Sequence, residues 1–139
     1  MKRSSIITFI AIAALAIATA CTKSTNNAGK PIASTAINNL TATLSNSTGQ
    51  LKQGDQEVTL AFTDSSGKPV DVGAVALNFH MPAMGGMAAM NDAISFTTTA
   101  TPGIYRGKVN IGMAGEWQAQ LAYEGPAGKG KTTFSVTAR

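Results

Sequence analysis

Apolar and polar residues alternate at period two along most of the chain beyond residue 36, most clearly in Glu116-Trp117-Gln118-Ala119-Gln120-Leu121-Ala122-Tyr123. Trp117, Ala119, Leu121 and Tyr123 share one side of that run and polar residues hold the other, the pattern of a half-buried strand. The alternation returns in Leu40, Ala42 and Leu44, in Val58, Leu60 and Phe62, in Val75, Leu77 and Phe79, and in Ile94, Phe96 and Thr98. It returns again in Tyr105, Gly107, Val109 and Ile111, and in Phe134 and Val136. Turn-forming stretches separate these runs: Asp64-Ser65-Ser66-Gly67-Lys68-Pro69, Thr101-Pro102-Gly103 and Gly125-Pro126-Ala127-Gly128 favour fixed or left-handed backbone angles. No segment carries a long amphipathic helical period. About seven short strands in roughly a hundred residues predict an all-β, immunoglobulin-like β-sandwich with one core.

The N-terminal region breaks this pattern. Lys2 and Arg3 precede an apolar stretch over residues 6–18, too short for the roughly 20 apolar residues of a spanning helix, so residues 1–20 read as an export signal peptide. Ala18-Thr19-Ala20-Cys21 resembles the lipobox of bacterial lipoproteins, in which the cysteine is acylated and becomes the new N-terminus; Ala18 stands where leucine is usual. The alternative is an ordinary signal peptide with a cysteine near its cleavage site. Cys21 is the only cysteine, which leaves no disulfide within one chain. Residues 22–35 are rich in Thr, Ser, Asn, Lys, Ala and Gly with little besides Ile32 to bury, and are expected to form a flexible tether. The organisation predicted is therefore signal peptide 1–20, lipidated cysteine and tether 21–35, and sandwich 36–139. The expected location is the bacterial cell envelope, on a membrane through the lipid anchor; Thr22 in place of aspartate favours the outer membrane where the host has two.

Charge excludes one class of partner. The formal net of +4 rests on 11 basic and 7 acidic side chains, and two of the basic ones, Lys2 and Arg3, lie in the leader. The remaining Lys and Arg are scattered singly without interleaved aromatics, so no nucleic-acid partner is expected.

The candidate chemistry lies in His80-Met81-Pro82-Ala83-Met84-Gly85-Gly86-Met87-Ala88-Ala89-Met90, which holds the only histidine and four of the six methionines. A thioether is a soft, polarizable donor that stays uncharged at every pH, and with imidazole it suits Cu(I) over the hard cations. Acidic residues near the run are few, Asp92 being the closest, which argues against Ca²⁺ or Mg²⁺; one histidine and no second thiolate leave zinc short of its usual ligands. The methionines recur every three residues, so a short helical or 3₁₀ turn stacking them as a hydrophobic cap is the competing reading. Pro82 and Gly85-Gly86 weaken any such helix. Because Val75, Leu77 and Phe79 take the core side, the alternation puts His80 on the other face, at a strand end. Met113 lies about thirty residues on, near the start of the sixth strand, which in this topology pairs with the third. It belongs either to the same rim or, continuing the phase of Val109 and Ile111, to the core. The candidate metal ligands are His80, Met81, Met84, Met87, Met90 and Met113.

Phe79-His80-Met81-Pro82-Ala83-Met84-Gly85-Gly86-Met87, then Gly103-Ile104-Tyr105-Arg106-Gly107, then Met113-Ala114-Gly115-Glu116-Trp117 resemble, in that order, the motifs of the YtkA-like domain and its FixH-like relatives. The resemblance covers roughly residues 40–139. It implies an exported or membrane-anchored β-sandwich with a methionine-proline-x-methionine loop, a glycine-x-tyrosine strand and a glycine-x-tryptophan strand. It also implies a role in copper handling or membrane oxidase assembly.

No nucleophile pattern surrounds His80 and no glycine-rich phosphate loop follows a strand, so an enzyme is not expected. Asn46-Ser47-Thr48 matches a glycosylation sequon, incidental in a bacterial lipoprotein. The expected function is a lipid-anchored protein that buffers Cu(I), or delivers it to an efflux or oxidase-assembly partner, through a His/Met-rich loop. The alternative is a metal-free interaction module that docks an exposed methionine loop onto a protein partner.

Overall fold

The computed structural model describes residues 29–139. The signal peptide, Cys21 and the first part of the tether lie outside the described residues. Eight strands follow one another: β1 (Lys30–Ile37), β2 (Leu40–Asn46), β3 (Gly54–Thr63), β4 (Ala74–Met81), β5 (Met90–Thr98), β6 (Ile104–Ile111), β7 (Gly115–Gly125) and β8 (Gly128–Ala138). All pair antiparallel in the order β1-β2-β3-β6-β5-β4-β7-β8. The fold is all-β, and the strands from β2 onward are the seven read from the alternation.

β5 makes one continuous, nearly closed sheet into two layers. Its first half, Met90 to Ile94, pairs with β4, and its second half, Ser95 to Thr98, pairs with β6. The inward residues of both layers meet in one core, with Trp117, Phe62, Phe79, Leu44, Leu60, Leu77, Ile111 and Leu121 fully buried. The outer edges, β1 and β8, approach each other, and the Asn38 amide donates to the Lys129 carbonyl across them.

β1 corrects the tether. Lys30, Pro31 and Ser34 make this stretch look too polar to fold, yet residues 30–35 are strand, paired along β2 from Lys30↔Asn46 to Ile37↔Leu40. A register shift between Pro31 and Ala33 leaves Ile32 as the extra residue of a bulge. Ile32 and Ala33 both pack against the core, and Ile37 is 3% exposed.

The strand registers sort the loops into two groups. Lys30↔Asn46, Gly54↔Ile111, Met81↔Met90, His80↔Gln118 and Gly115↔Ala138 lie at one end of the sandwich. Ile37↔Leu40, Ala61↔Ile104, Thr98↔Tyr105 and Ala74↔Glu124 lie at the other. All the candidate ligands therefore gather at one end.

Candidate metal centre

β4, the connecting loop and β5 form a single hairpin in unbroken register. Leu77↔Ile94, Asn78↔Ala93, Phe79↔Asp92, His80↔Asn91 and Met81↔Met90 continue, past unladdered residues 82–83 and 88–89, into a bridge at Met84↔Met87. The tip is Gly85-Gly86. Met84 N–H donates to the Met87 carbonyl at 3.2 Å and Met87 N–H to that of Met84 at 2.9 Å, with Gly85 at φ +56°. A positive φ at Gly85 but not at Gly86 fits a two-residue type II′ turn, where glycine at the first central position carries no steric penalty.

The three-residue methionine spacing is therefore not helical. The methionines of Met-Pro-Ala-Met-Gly-Gly-Met-Ala-Ala-Met are placed symmetrically about the two glycines, and the hairpin converts that symmetry into two cross-strand methionine pairs. Directly opposed residues in an antiparallel pair point to the same side, with Cβ atoms about 5 Å apart. Met84 and Met87 thus stand together on one side of the tip. They are the large hydrophobic side chains exposed among the described residues, at 60% and 47%.

The second pair faces inward. Met81 is 3% exposed and belongs to the core; Met90 and Met113 are half-buried against it. The Met90 methyl lies where a side chain on Gly112 would be, 2.6 Å from its Cβ position, and the Met81 methyl lies 3.1 Å from the Cβ position of Gly115. Glycine at both places makes room for the methionines, and Met113 sits in the turn between them. The Trp117 indole N–H donates to the Met113 carbonyl at 3.0 Å and holds that turn. Met81, Met90 and Met113 accordingly share one rim, and Met113 is both at that rim and packed against the core.

His80 stands apart from the rim. It faces outward as the alternation predicts, with Nδ1 2.9 Å from Asn91 Oδ1. The Asn78 amide donates at 3.3 Å to that same oxygen and at 3.3 Å to Gln120 Oε1, which fixes the orientation of Asn91. In the tautomer that donates from Nδ1 to this oxygen, Nε2 keeps its lone pair. Asn91, which orients the imidazole, was missed in the sequence because its role exists only across the hairpin. Register parity puts His80 on the same side as Met84 and Met87, but four positions at a strand rise of about 3.3 Å separate it from Met84 by about 13 Å along a straight arm. The registers pair Met84 with Met87 and Met81 with Met90, with Met113 at the same end; His80 faces away from Met81 and lies four positions along the arm from Met84. Among the described residues no cluster of three or more His, Cys, Asp or Glu side chains is placed to hold a metal ion. The soft donors at this end are thioethers.

A family model described as YtkA-like matches residues 34–122. The chain belongs to the YtkA-like family. The match spans β2 to β6 entire, the second half of β1 and the first eight residues of β7. No curated protein and no solved structure matches the chain significantly. The three motifs of this YtkA-like domain divide by role. The Tyr105 hydroxyl donates to Asp71 or the Gly73 carbonyl, each at 3.1 Å, and accepts from Val72 N–H at 3.3 Å. Trp117 braces the turn at Met113. Of the large apolar side chains in the three motifs, Met84 and Met87 are the exposed ones.

Proposed function

We propose that the protein is an envelope Cu(I)-binding protein, tethered by an acylated Cys21, that takes the metal on the thioethers of Met84 and Met87 and passes it to a partner. The observation that carries this reading is the exposed methionine pair, whose members are paired across a glycine turn and are the large hydrophobic side chains exposed among the described residues. Two uncharged sulfurs suit the low coordination number and soft character of Cu(I). Exposure suits exchange, since an incoming donor reaches the metal without opening the fold. Without a thiolate the site is insensitive to thiol oxidation, an advantage in an oxidising compartment. His80 offers a nitrogen on the same side but far down the arm, and Met81, Met90 and Met113 face the rim, so the tip pair is the ligand set we assign.

The test is an anaerobic Cu(I) titration of the chain lacking residues 1–21 against a chromophoric chelator. That chain holds every strand of the single core, so it keeps the whole folding unit. The same titration is run on a Met84→Leu/Met87→Leu variant, which keeps side-chain volume and removes sulfur. Stoichiometric binding by the wild type, lost in the variant, is the expected outcome. No competition by the wild type overturns the copper reading and leaves the tip as a protein-docking loop.

A further inference from the structure

The five methionines beyond Met1 lie at one end of the sandwich but differ in what reaches their sulfurs. Met84 and Met87 are exposed, Met90 and Met113 are half-buried, and Met81 is in the core. The surroundings grade in the same order. A side chain built on Gly85 or Gly86 would meet nothing within 4 Å, whereas the Met90 and Met81 methyls press on the Cβ positions of Gly112 and Gly115 at 2.6 and 3.1 Å. Residues 82–89 are exposed throughout and hold nothing larger than the two methionines to shield them. Trp117, the only tryptophan, is fully buried. The two thioethers assigned as ligands are thus the two most open to a small oxidant in solution.

A thioether forms no disulfide, but it has an oxidation of its own. With hydrogen peroxide, a sulfur lone pair attacks one peroxide oxygen, the O–O bond breaks and an S–O bond forms. The other oxygen leaves as water with both peroxide protons, so the sulfur gives up two electrons and the peroxide takes them. The product is a sulfoxide, polar and chiral. One lone pair is then committed to oxygen and the sulfur is electron-poor, so the outward donor becomes a hard oxygen, which Cu(I) does not favour. At Met84 and Met87 the added oxygen has open space, and the hairpin keeps its turn. At Met81 it would have to enter the core, where a polar atom is costly to bury.

We propose that Met84 and Met87 form a reversible oxidation site, at which peroxide closes the tip to Cu(I) without unfolding the domain. The proposal rests on the Cu(I) reading above and supplies its regulation. Reversal is reduction of the sulfoxide by a dithiol, such as that of a methionine sulfoxide reductase: the sulfoxide oxygen leaves as water and the dithiol becomes a disulfide. Metal and oxygen compete for the same sulfurs, so the metal-free protein is the form that an oxidant silences.

The experiment uses the chain lacking residues 1–21, which has no cysteine, treated with graded hydrogen peroxide and then freed of it. Fragment masses assign each sulfoxide, and anaerobic Cu(I) competition against the chromophoric chelator reads the site in the same samples. Sulfoxide is expected at Met84 and Met87 several-fold faster than at Met90 and Met113, and slowest at Met81. Cu(I) binding is expected to fall in step with the first two. It is expected to return after treatment with methionine sulfoxide reductases of both stereospecificities and dithiothreitol, all removed before the titration. Comparable rates at all five methionines overturn the selectivity. Unchanged Cu(I) binding with Met84 and Met87 fully oxidised overturns the switch, as does binding that stays lost once both are reduced. Untreated protein that fails to compete overturns the Cu(I) reading and the switch with it, and that failure is recognised before any peroxide is added.

Discussion

At the end of the sandwich away from the hairpin, Tyr105 and Tyr123 pack edge-on against Phe62, with ring centroids 6.0 and 5.6 Å away. Their hydroxyls are bonded as well, Tyr105 to the segment before β4 and Tyr123 to the Asn38 amide at 2.8 Å. At the hairpin end the closing groups are the thioethers of Met81, Met90 and Met113, shaped around glycines, with two more thioethers beyond them in solvent. One end is locked by directional bonds that fit a single arrangement. The other is filled by flexible, unbranched side chains that adapt to what they meet. Directional bonding and adaptable, solvent-facing thioethers are thus placed at opposite ends of one core, and each is open to change without the other.

Three substitutions or treatments sharpen that contrast. Phe62→Ala removes the ring on which both tyrosines rest and is expected to cost about 3–5 kcal/mol of folding stability, read from denaturant unfolding, while the exposed tip keeps its turn. Tyr105→Phe keeps the ring and removes the hydroxyl, at an expected cost of about 1–3 kcal/mol for the buried groups left unpaired. Burial, followed by the hydrogen bond and charge of Asp71, raises the Tyr105 phenol above its ordinary value. The stability this adds is complete below the unfolded phenol pKa of about 10 and is lost as pH rises through the folded value. Wild type and Tyr105→Phe should therefore converge in unfolding midpoint in strong alkali; a gap that widens there would contradict the assignment. The smallest effect on stability comes from dilute peroxide, which should convert Met84 and Met87 to sulfoxides well before Met81, as followed by peptide mass. Stability should change within about 0.5 kcal/mol, because both side chains already face water.

Much of this fold was legible because a half-buried strand writes its burial directly into the sequence. Leu77 and Phe79 inward with His80 outward, and the pairing of β4 with β7, followed from alternation and topology alone. β1 did not, since its inward residues include Ala33 and Thr35 and a bulge at Ile32 interrupts its period. At the site, the identity of the methionines was plain and their arrangement was not. A spacing of three suggests a helical turn; symmetry about Gly85-Gly86 signals a hairpin, and that signal was present but unread. The split into an exposed pair and a rim group depends on Gly112 and Gly115 accepting two methyl groups, a fit made between distant parts of the chain.

The two arms of the hairpin do not depend on their tip to stay in place. β4 is held by β7 over its length from Ala74 to His80, and β5 is held by β6 from Ser95 onward. A cut between Gly85 and Gly86 would leave both arms bonded where they are. Residues 82–89 are therefore a cassette: evolution, or an engineer, can rewrite its side chains while the fold that carries it goes on unaltered.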